Sequence, residues 1–193
     1  MEKVDLLNIL RTGETVFTFK EILLNSRGTD PALLKRRICY YVKTGELYPV
    51  RRGIYARDKN YDRLELAAKI ISPSYISFET VLTAAGIAFQ HYESIFIASN
   101  RSKTFICDGQ TYSYRKIRDD ILTAQIGIEN QGRYFIASKE RAILDTLYLN
   151  KDYHFDNLSG INWNQLLAIS PIYKSERIEK TINKLMKTLK DEN

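Results

Sequence analysis

Apolar residues in the first part of the chain recur at helical spacing in short stretches that are separated by turn residues. Residues 3–11 place one apolar stripe on a helix, made of Val4, Leu7 and Leu10. A second helix is predicted over about residues 19–25, because Thr18 and Glu21 have the spacing of a capping box. Two short helices are therefore expected before residue 26.

A third helix is predicted between Asp30-Pro31 and Gly45, residue types that favour a helix start and a helix end respectively. At about 100° per residue, this helix divides into two faces. The face expected to pack inward contains Leu34, Ile38, Tyr41 and Val42. The opposite face is basic and rich in hydrogen-bonding groups: Arg36, Tyr40 and Lys43, with Arg37 at the flank. A solvated helix of a small bundle would show the same division.

Two short strands are predicted directly after this helix, on either side of Arg51-Arg52-Gly53. The glycine supplies the turn, and Pro49 fits only an edge strand or a bulge because it cannot donate a ladder hydrogen bond. Arginines at a hairpin tip suit contact with phosphates or with a narrow minor groove. Helices and hairpin together predict a winged helix-turn-helix DNA-binding domain over residues 1–59.

A second domain is predicted over residues 62–193, after a polar join at residues 58–62. Its first part is helical, including a helix that Ser77 is expected to cap. In the middle of the chain the period changes to that of strands, and Asp108-Gly109 is a strong hairpin signal. The fold class predicted is α+β: a winged helix-turn-helix followed by an α+β domain with a small, mostly antiparallel sheet.

Two more helices are predicted toward the end of the chain. Ser138 is expected to cap the first, which carries Arg141 and Asp145 at i,i+4 spacing. The second, over about residues 175–190, turns three lysines outward: Lys180, Lys184 and Lys187. A solvated surface explains this lysine face more simply than a binding site does, so it is only a second candidate contact patch.

Charge is distributed unevenly along the chain. Of the formal charge of +6 over 193 residues, +5 lies in residues 1–60, which carry 12 basic and 7 acidic side chains. This asymmetry favours a polyanionic partner for the first domain, although a solvated charged surface would show it too. No apolar run approaches the roughly 18–20 residues of a membrane span, and the start lacks a signal-peptide core. We therefore expect a cytoplasmic protein with no membrane partner.

The cysteines and histidines lack the spacing of metal ligands. Cys39 falls in a predicted helix and Cys107 in a predicted strand, so both are expected to be free thiols, buried or half-buried. His91 and His154 are isolated, and a zinc site would need more ligands than they supply. We expect no metal site.

Sequence motifs of common enzymes are missing from the chain. It contains neither of the glycine-rich phosphate-binding motifs, G-x-x-x-x-G-K-[ST] and G-x-G-x-x-G. It also contains no G-x-S-x-G elbow and no H-E-x-x-H motif. Asp119-Asp120 has no partner carboxylate or histidine at informative spacing, and helix-dipole and i,i+4 effects explain Glu140, Arg141 and Asp145. We therefore expect a protein that is not an enzyme, with no catalytic residues and no cofactor.

Several segments between Phe17 and Leu149 follow the order and composition of one known family. They are FTFKEIL and LLKRRICYYVKTGELYPVRRGIYARD, then SPSYISFETVLTAAGI, KTFICDGQTYSYRKI and YFIASKERAILDTLYL. With these segments the chain resembles the AbiEi-type antitoxins of type IV (abortive-infection) toxin–antitoxin systems. The patterns are loose and contain no catalytic fingerprint, and the remaining C-terminal residues match less closely.

The resemblance implies a two-domain bacterial protein. Its first domain would bind inverted repeats in its own promoter and repress transcription. Its second domain would counteract a nucleotidyltransferase-type toxin, without necessarily forming a stable complex with it. The implied DNA contacts are Arg36, Tyr40, Lys43, Arg51 and Arg52, with Arg37 at the flank. The candidate residues for antitoxicity are Arg141, Asp145, Lys180, Lys184 and Lys187. Arg141 and Asp145 in ERAILD match a family-like motif, but a packing role explains that motif equally well.

Two other functions remain open at the level of sequence. One is a stand-alone winged-helix transcriptional regulator whose C-terminal domain senses a ligand or another protein. The other is an RNA- or nucleotide-processing enzyme with an unrecognised site, for which Asp119 and Asp145 would be the residues to test. An adjacent toxin gene would favour the antitoxin, and turnover of labelled nucleotides would favour the enzyme.

Overall fold

The computed structural model describes residues 13–26 and 28–191, and it divides into two compact units. The first unit extends to Ser72 and includes Ile106–Gly109, and the second contains Pro73–Phe105 and the chain from Gln110 onward. Both units combine helices with strands, so the α+β prediction is confirmed. The helix predicted over residues 3–11 lies outside the described residues.

The first unit contains a three-stranded antiparallel sheet and three described helices. In chain order these elements are β1 (Val16–Thr18), α1 (Phe19–Asn25), α2 (Pro31–Lys43), β2 (Tyr48–Arg51), β3 (Ile54–Ala56) and α3 (Arg63–Ile70). The sheet order is β1-β3-β2, with antiparallel pairing throughout. Strand β1 was not predicted, because its three residues pair with a strand much later in the chain.

The helix ends in this unit follow the local sequence signals. Thr18 and Glu21 form the predicted capping box of α1. Asp30 accepts hydrogen bonds from the backbone N–H groups of Ala32 and Leu33, at 2.9 and 3.0 Å, and so caps α2. Each of these bonds satisfies an N–H group that has no partner inside its own helix.

The core of the first unit joins α1, α2 and the β2–β3 hairpin. Its buried side chains are Phe17, Ile22, Leu34, Ile38 and Leu47, with Tyr41, Val42 and Tyr55 packed against them. The predicted inward face of α2 is therefore confirmed. Because burying one large apolar side chain contributes about 1.5–3 kcal/mol, this cluster holds α2 and the hairpin in one packed unit.

Helix α3 also belongs to the first unit, although it follows the polar join. Its Glu65 side chain is fully buried and accepts hydrogen bonds from Thr15 N–H (2.9 Å), Thr15 Oγ1 (2.7 Å) and Val16 N–H (3.2 Å). The carboxylate thus satisfies the backbone at the start of β1. The two compact units consequently divide after Ser72, later in the chain than the predicted boundary near residues 59–62.

The second unit contains a six-stranded sheet. Its strands are β4 (Ser74–Ile76), β5 (Ser94–Ser99), β6 (Lys103–Cys107), β7 (Gln110–Lys116), β8 (Ile128–Asn130) and β9 (Phe135–Ala137), in the order β6-β7-β5-β4-β9-β8. The pairs β4–β5 and β8–β9 are antiparallel, as predicted for most of the sheet. The pairs β4–β9 and β5–β7 are parallel, which the sequence pattern did not indicate.

The second unit contains five helices in the described part of the chain, and the last and the third of them are the two that were predicted toward the end of the chain. The five are α4 (Glu79–Ala84), α5 (Asp119–Thr123), α6 (Lys139–Leu149), α7 (Trp163–Ile169) and α8 (Glu176–Asp191), with a 3₁₀ turn at Ser170–Tyr173. Ser138 caps α6 by accepting a hydrogen bond from the backbone N–H of Arg141, as expected.

The β6–β7 hairpin turns at Asp108 and Gly109, both with positive φ, as the sequence indicated.

The prediction that Ser77 caps a helix is wrong. Helix α4 begins after Phe78, which has φ 55° and ψ −141° and provides no side-chain cap. The Ser77 hydroxyl instead donates a 2.7 Å hydrogen bond to Asp145. A sequence pattern cannot distinguish these two roles, because the partner of Ser77 lies on a distant helix.

The prediction for the thiols holds for only one of them. Cys107 is buried, whereas Cys39 is exposed on α2, because it projects toward the outer side of that helix. Among the residues that the structure describes, no helix has both the length and the apolar character needed to cross a membrane.

Candidate nucleic-acid interface

The outer face of α2 is exposed and carries cationic and hydrogen-bonding groups. Arg36, Tyr40 and Lys43 are all exposed, and the Tyr40 side chain is 61% exposed. The Tyr40 ring meets the ring of Tyr41 edge to face, with 5.8 Å between centroids. Since Tyr41 packs on the core, this contact restrains an otherwise solvent-facing side chain.

The flank of this face differs from its centre. Arg37 is half-buried and interacts with other groups of the chain, so it is less available to a partner than Arg36. Lys35 lies over the ring of Phe19 at 5.9 Å, a contact that links α2 to the first residue of α1. The centre of the face is therefore formed by Arg36, Tyr40 and Lys43, as the helical spacing predicted.

The hairpin tip presents the second group of predicted residues. Arg52 is exposed, whereas Arg51 is half-buried and interacts within the chain. The carbonyl of Gly53 accepts a 2.8 Å hydrogen bond from the N–H of Phe19, which ties the tip to the start of α1. As predicted, Pro49 lies on an edge strand, where the register shifts between Pro49 and Arg51.

A tyrosine–aspartate cluster beside the edge strand was not predicted. Tyr48 and Tyr61 donate hydrogen bonds to the two carboxylate oxygens of Asp108, at 3.1 and 2.8 Å. Their rings stack with 6.3 Å between centroids. The hydrogen bond to Asp108 raises the pKa of Tyr48. All three residues belong to the first unit, but they are too far apart in sequence for a pattern to connect them.

Arg141 and Asp145, the pair in the family-like motif, are fully buried in the second unit. Asp145 accepts hydrogen bonds from three hydroxyl groups, those of Tyr75 (2.9 Å), Ser77 (2.7 Å) and Tyr173 (2.7 Å). Burial raises the pKa of Asp145, while Arg141 and the three hydroxyl groups oppose that rise.

The guanidinium of Arg141 is held by several elements. It donates to the carbonyls of Ile126 (2.8 Å) and Ile121 (2.6 Å) and to the Tyr75 hydroxyl (3.1 Å). Its Nε lies 3.5 Å from Asp145 Oδ1. The pair therefore connects α6 to helix α5, to the loop at Ile126, to strand β4 and to the 3₁₀ turn. A buried, hydrogen-bonded pair of this kind is what a structural role of Arg141 and Asp145 in the ERAILD motif would require.

The lysine face of α8 is exposed, as the sequence pattern indicated. Lys180, Lys184 and Lys187 all face solvent, opposite to the buried Ile178 and Ile182. Lys180 lies 3.6 Å from Glu176 on the same helix, and both side chains are largely exposed. Pairs of this kind contribute little to stability. The lysine face thus lies on the surface of the unit, whereas Arg141 and Asp145 lie in its interior.

Several acidic side chains in the described part of the chain form ion pairs or hydrogen bonds within it. No group of three His, Cys, Asp or Glu side chains there is arranged to hold a metal ion. Asp120 pairs with Arg118 and Lys174, and the hydrogen bond from Arg118 lowers its pKa. Asp119 lies beside it, exposed in the first turn of α5.

Comparison with known proteins adds no assignment. No protein-family model matches the sequence, and no curated protein matches it significantly. The function must therefore be argued from the exposed face of α2, the hairpin tip and the segments that resemble the antitoxin family.

Proposed function

We propose that the first unit is a winged helix-turn-helix that binds double-stranded DNA, with α2 as the recognition helix and the β2–β3 hairpin as the wing. The observation that carries the proposal is the division of α2, whose one face lies in the core while Arg36, Tyr40 and Lys43 occupy the other. A two-faced helix of this kind fits the width of a major groove.

The roles of the side chains follow from their chemistry. Arg36 has the planar group that pairs with guanine, while Tyr40 and Lys43 suit phosphate oxygens. Arg51 and Arg52 would meet the backbone or the narrow minor groove beside the helix. The positive charge of residues 1–60 supports the same partner, because phosphate neutralisation supplies much of the affinity for DNA.

The same proposal extends to the biological role. The segments that resemble AbiEi-type antitoxins lie in both units, including β7 and α6 of the second. We infer a cytoplasmic bacterial repressor of its own promoter that binds inverted repeats. It would also act as a non-enzymatic antitoxin against a nucleotidyltransferase-type toxin, without requiring a stable complex. A stand-alone regulator would share the DNA-binding unit but have no adjacent toxin.

The salt dependence of DNA binding tests the wing. We expect the chain to bind a fragment of its own upstream region, with affinity that falls linearly in log K against log[salt]. Replacing both Arg51 and Arg52 by Ala should flatten that slope by up to about 2 units, since each phosphate contact contributes about one. Fluorescence anisotropy over a range of salt concentrations measures it.

A matched variant separates local contact from net charge. Lys180→Gln with Lys184→Gln removes the same charge from α8, and it should leave the slope unchanged. If this variant flattened the slope as much as the arginine variant, the net charge of the protein, and not contact at the wing, would explain the salt dependence. If the arginine variant bound with unchanged slope and affinity, the wing would have no role.

The two native thiols provide an independent probe of α2. Cys39 is exposed on the outer side of the helix, whereas Cys107 is buried. A maleimide should therefore label Cys39 first, and bound DNA should slow that labelling strongly. Labelling at an equal rate in the free and DNA-bound protein would place the DNA elsewhere.

Co-expression tests the antitoxin role separately. The chain should rescue cells that express a nucleotidyltransferase encoded beside it. The Arg51→Ala, Arg52→Ala variant should lose repression but keep the rescue, because the proposed antitoxin function lies in the second unit. Absence of rescue, with DNA binding intact, would favour the stand-alone regulator.

A further inference from the structure

A cavity of about 590 Å³ lies in the second unit beside the carboxyl end of β9. It is lined by Val81, Ala84, Ala85, Glu129, Gln131 and Ile136, and by Ala137–Glu140, Asn162 and Gln165. All of these residues belong to the second unit. Neither the DNA-binding face of α2 nor the hairpin tip contributes to it.

The position of the cavity in the sheet is one that ligands often occupy. Strands β4 and β9 are parallel neighbours, with Ile76 opposite Ile136. Helix α4 follows β4 and helix α6 follows β9, and both helices contribute to the cavity wall. Ligands of open sheets commonly bind beyond the carboxyl ends of parallel strands, where the following helices and loops leave a crevice.

The decisive group is Glu140, a residue that lines the cavity although it is only 2% exposed. Its Oε1 accepts a 3.1 Å hydrogen bond from the N–H of Asn162. Within the described part of the chain, Oε2 accepts no hydrogen bond and joins no ion pair. Oε2 keeps some access to solvent, so it can accept a hydrogen bond from a donor that a ligand brings into the cavity, and its charge makes that bond a strong one.

The other polar groups leave the cavity acidic. Glu129 adds a second carboxylate at its exposed side. The ammonium of Lys139 donates to the carbonyl of Gly160, so one of its protons is already engaged. The wall on the α4 side is apolar, formed by Val81, Ala84 and Ala85. The two carboxylates and the single ammonium of Lys139 leave the lining with one net negative charge, which disfavours a carboxylate or phosphate ligand and favours a cation.

We propose that this cavity binds a small organic cation, an ammonium, amidinium or guanidinium group carried on a compact apolar body. The cationic group donates to Oε2 of Glu140, and the apolar body lies against Val81, Ala84 and Ala85. The volume lies within the range of small-molecule sites. The site is independent of the proposed DNA contacts and gives the second unit a ligand to recognise.

Binding of three probes of equal shape tests the charge of the ligand. Benzamidine carries an amidinium on an apolar ring, benzamide is its neutral counterpart, and benzoate is the anion. Calorimetric titration of the full chain should give saturable one-site binding of benzamidine, with benzamide and benzoate at least about tenfold weaker. Equal binding of all three, or no saturable binding of benzamidine, would overturn the proposal.

Variants of the lining then locate the site. Glu140→Gln keeps an oxygen for the Asn162 N–H but removes the charge, so it should weaken benzamidine binding about tenfold or more. Glu93→Gln, an exposed change away from the cavity, should bind as the unaltered chain does. Wild-type affinity in Glu140→Gln would overturn the proposal.

A steric variant keeps the test decisive if Glu140→Gln proves unstable. Ala84 is exposed at the end of α4 and lines the cavity, so we expect Ala84→Leu to fold while its larger side chain occupies part of the cavity. It should abolish benzamidine binding, and retained binding would contradict the site. Because these titrations contain no DNA, their outcome is independent of whether the first unit binds nucleic acid.

Discussion

Two residues in the second unit have buried, long-range interactions that their local sequence does not predict. Arg141 and Asp145 have the spacing of an ordinary surface pair on a helix, yet both are fully buried. Three hydroxyl groups donate hydrogen bonds to Asp145, and two backbone carbonyls accept hydrogen bonds from Arg141. A buried pair of this kind is stable only while both partners are present, because either one alone leaves an uncompensated charge.

Removal of Asp145 should therefore destabilise the protein strongly. Asp145→Ala leaves Arg141 buried without its counter-charge, and we expect a loss of about 3–5 kcal/mol in the free energy of unfolding. Urea denaturation followed by circular dichroism measures it. Glu176→Ala breaks the exposed pair with Lys180 and should unfold at nearly the unaltered urea concentration. Equal midpoints for the two variants would contradict the structural role of Asp145.

At the scale of elements, the sequence predicted what depends on neighbours along the chain. The capping box at Thr18, the cap at Asp30 and the two faces of α2 all rest on spacings of a few residues, and the structure confirms them. Strands β1 and β4 were missed because each has three residues and is fixed by pairing with distant strands. Parallel pairing in the larger sheet was missed for the same reason.

The cap of α2 provides a prediction at this scale. Asp30→Ala removes the oxygen that accepts from two backbone N–H groups, and the expected cost is about 1 kcal/mol. Asp30→Asn keeps an oxygen at the same place and should cost much less. Thermal unfolding of the unaltered chain and the two variants measures this cost. An unfolding temperature of Asp30→Asn as low as that of Asp30→Ala would contradict the capping role.

At the scale of the whole molecule, the sequence located the candidate DNA-binding face but not the candidate cavity. The face is continuous on one helix, so angular spacing alone selects Arg36, Tyr40 and Lys43. The cavity is assembled from α4, β8, β9, α6 and α7, and its key side chain, Glu140, was explained at the sequence level by the helix dipole. Only the arrangement of these elements reveals the oxygen that lacks a donor.

The pH dependence of stability should reflect two buried tyrosines. Burial, followed by the nearby Asp145 carboxylate, raises the pKa of Tyr75 and Tyr173 well above the ordinary value of about 10. The unfolded chain therefore releases these protons near pH 10 while the folded chain retains them. Their contribution to stability is fully present below pH 10 and is lost as the pH rises through the folded-state pKa values.

Urea denaturation at several pH values above 10 measures this loss. Each retained proton should lower the free energy of unfolding by about 1.4 kcal/mol per pH unit in that range. Tyr75→Phe removes one of the two groups, so its stability should fall less steeply with pH, whatever its absolute value. An equal slope in the variant would show that Tyr75 does not retain its proton.

Two structural requirements at Asp108 restrict which amino acids can replace it. The residue adopts a positive φ of 48° in a two-residue turn and also accepts hydrogen bonds from both Tyr48 and Tyr61. Asparagine would satisfy the turn but offers one acceptor oxygen, and glutamate would keep the carboxylate but is poorly suited to positive φ. In a library of all amino acids at this position, selection for stability should enrich aspartate over both asparagine and glutamate.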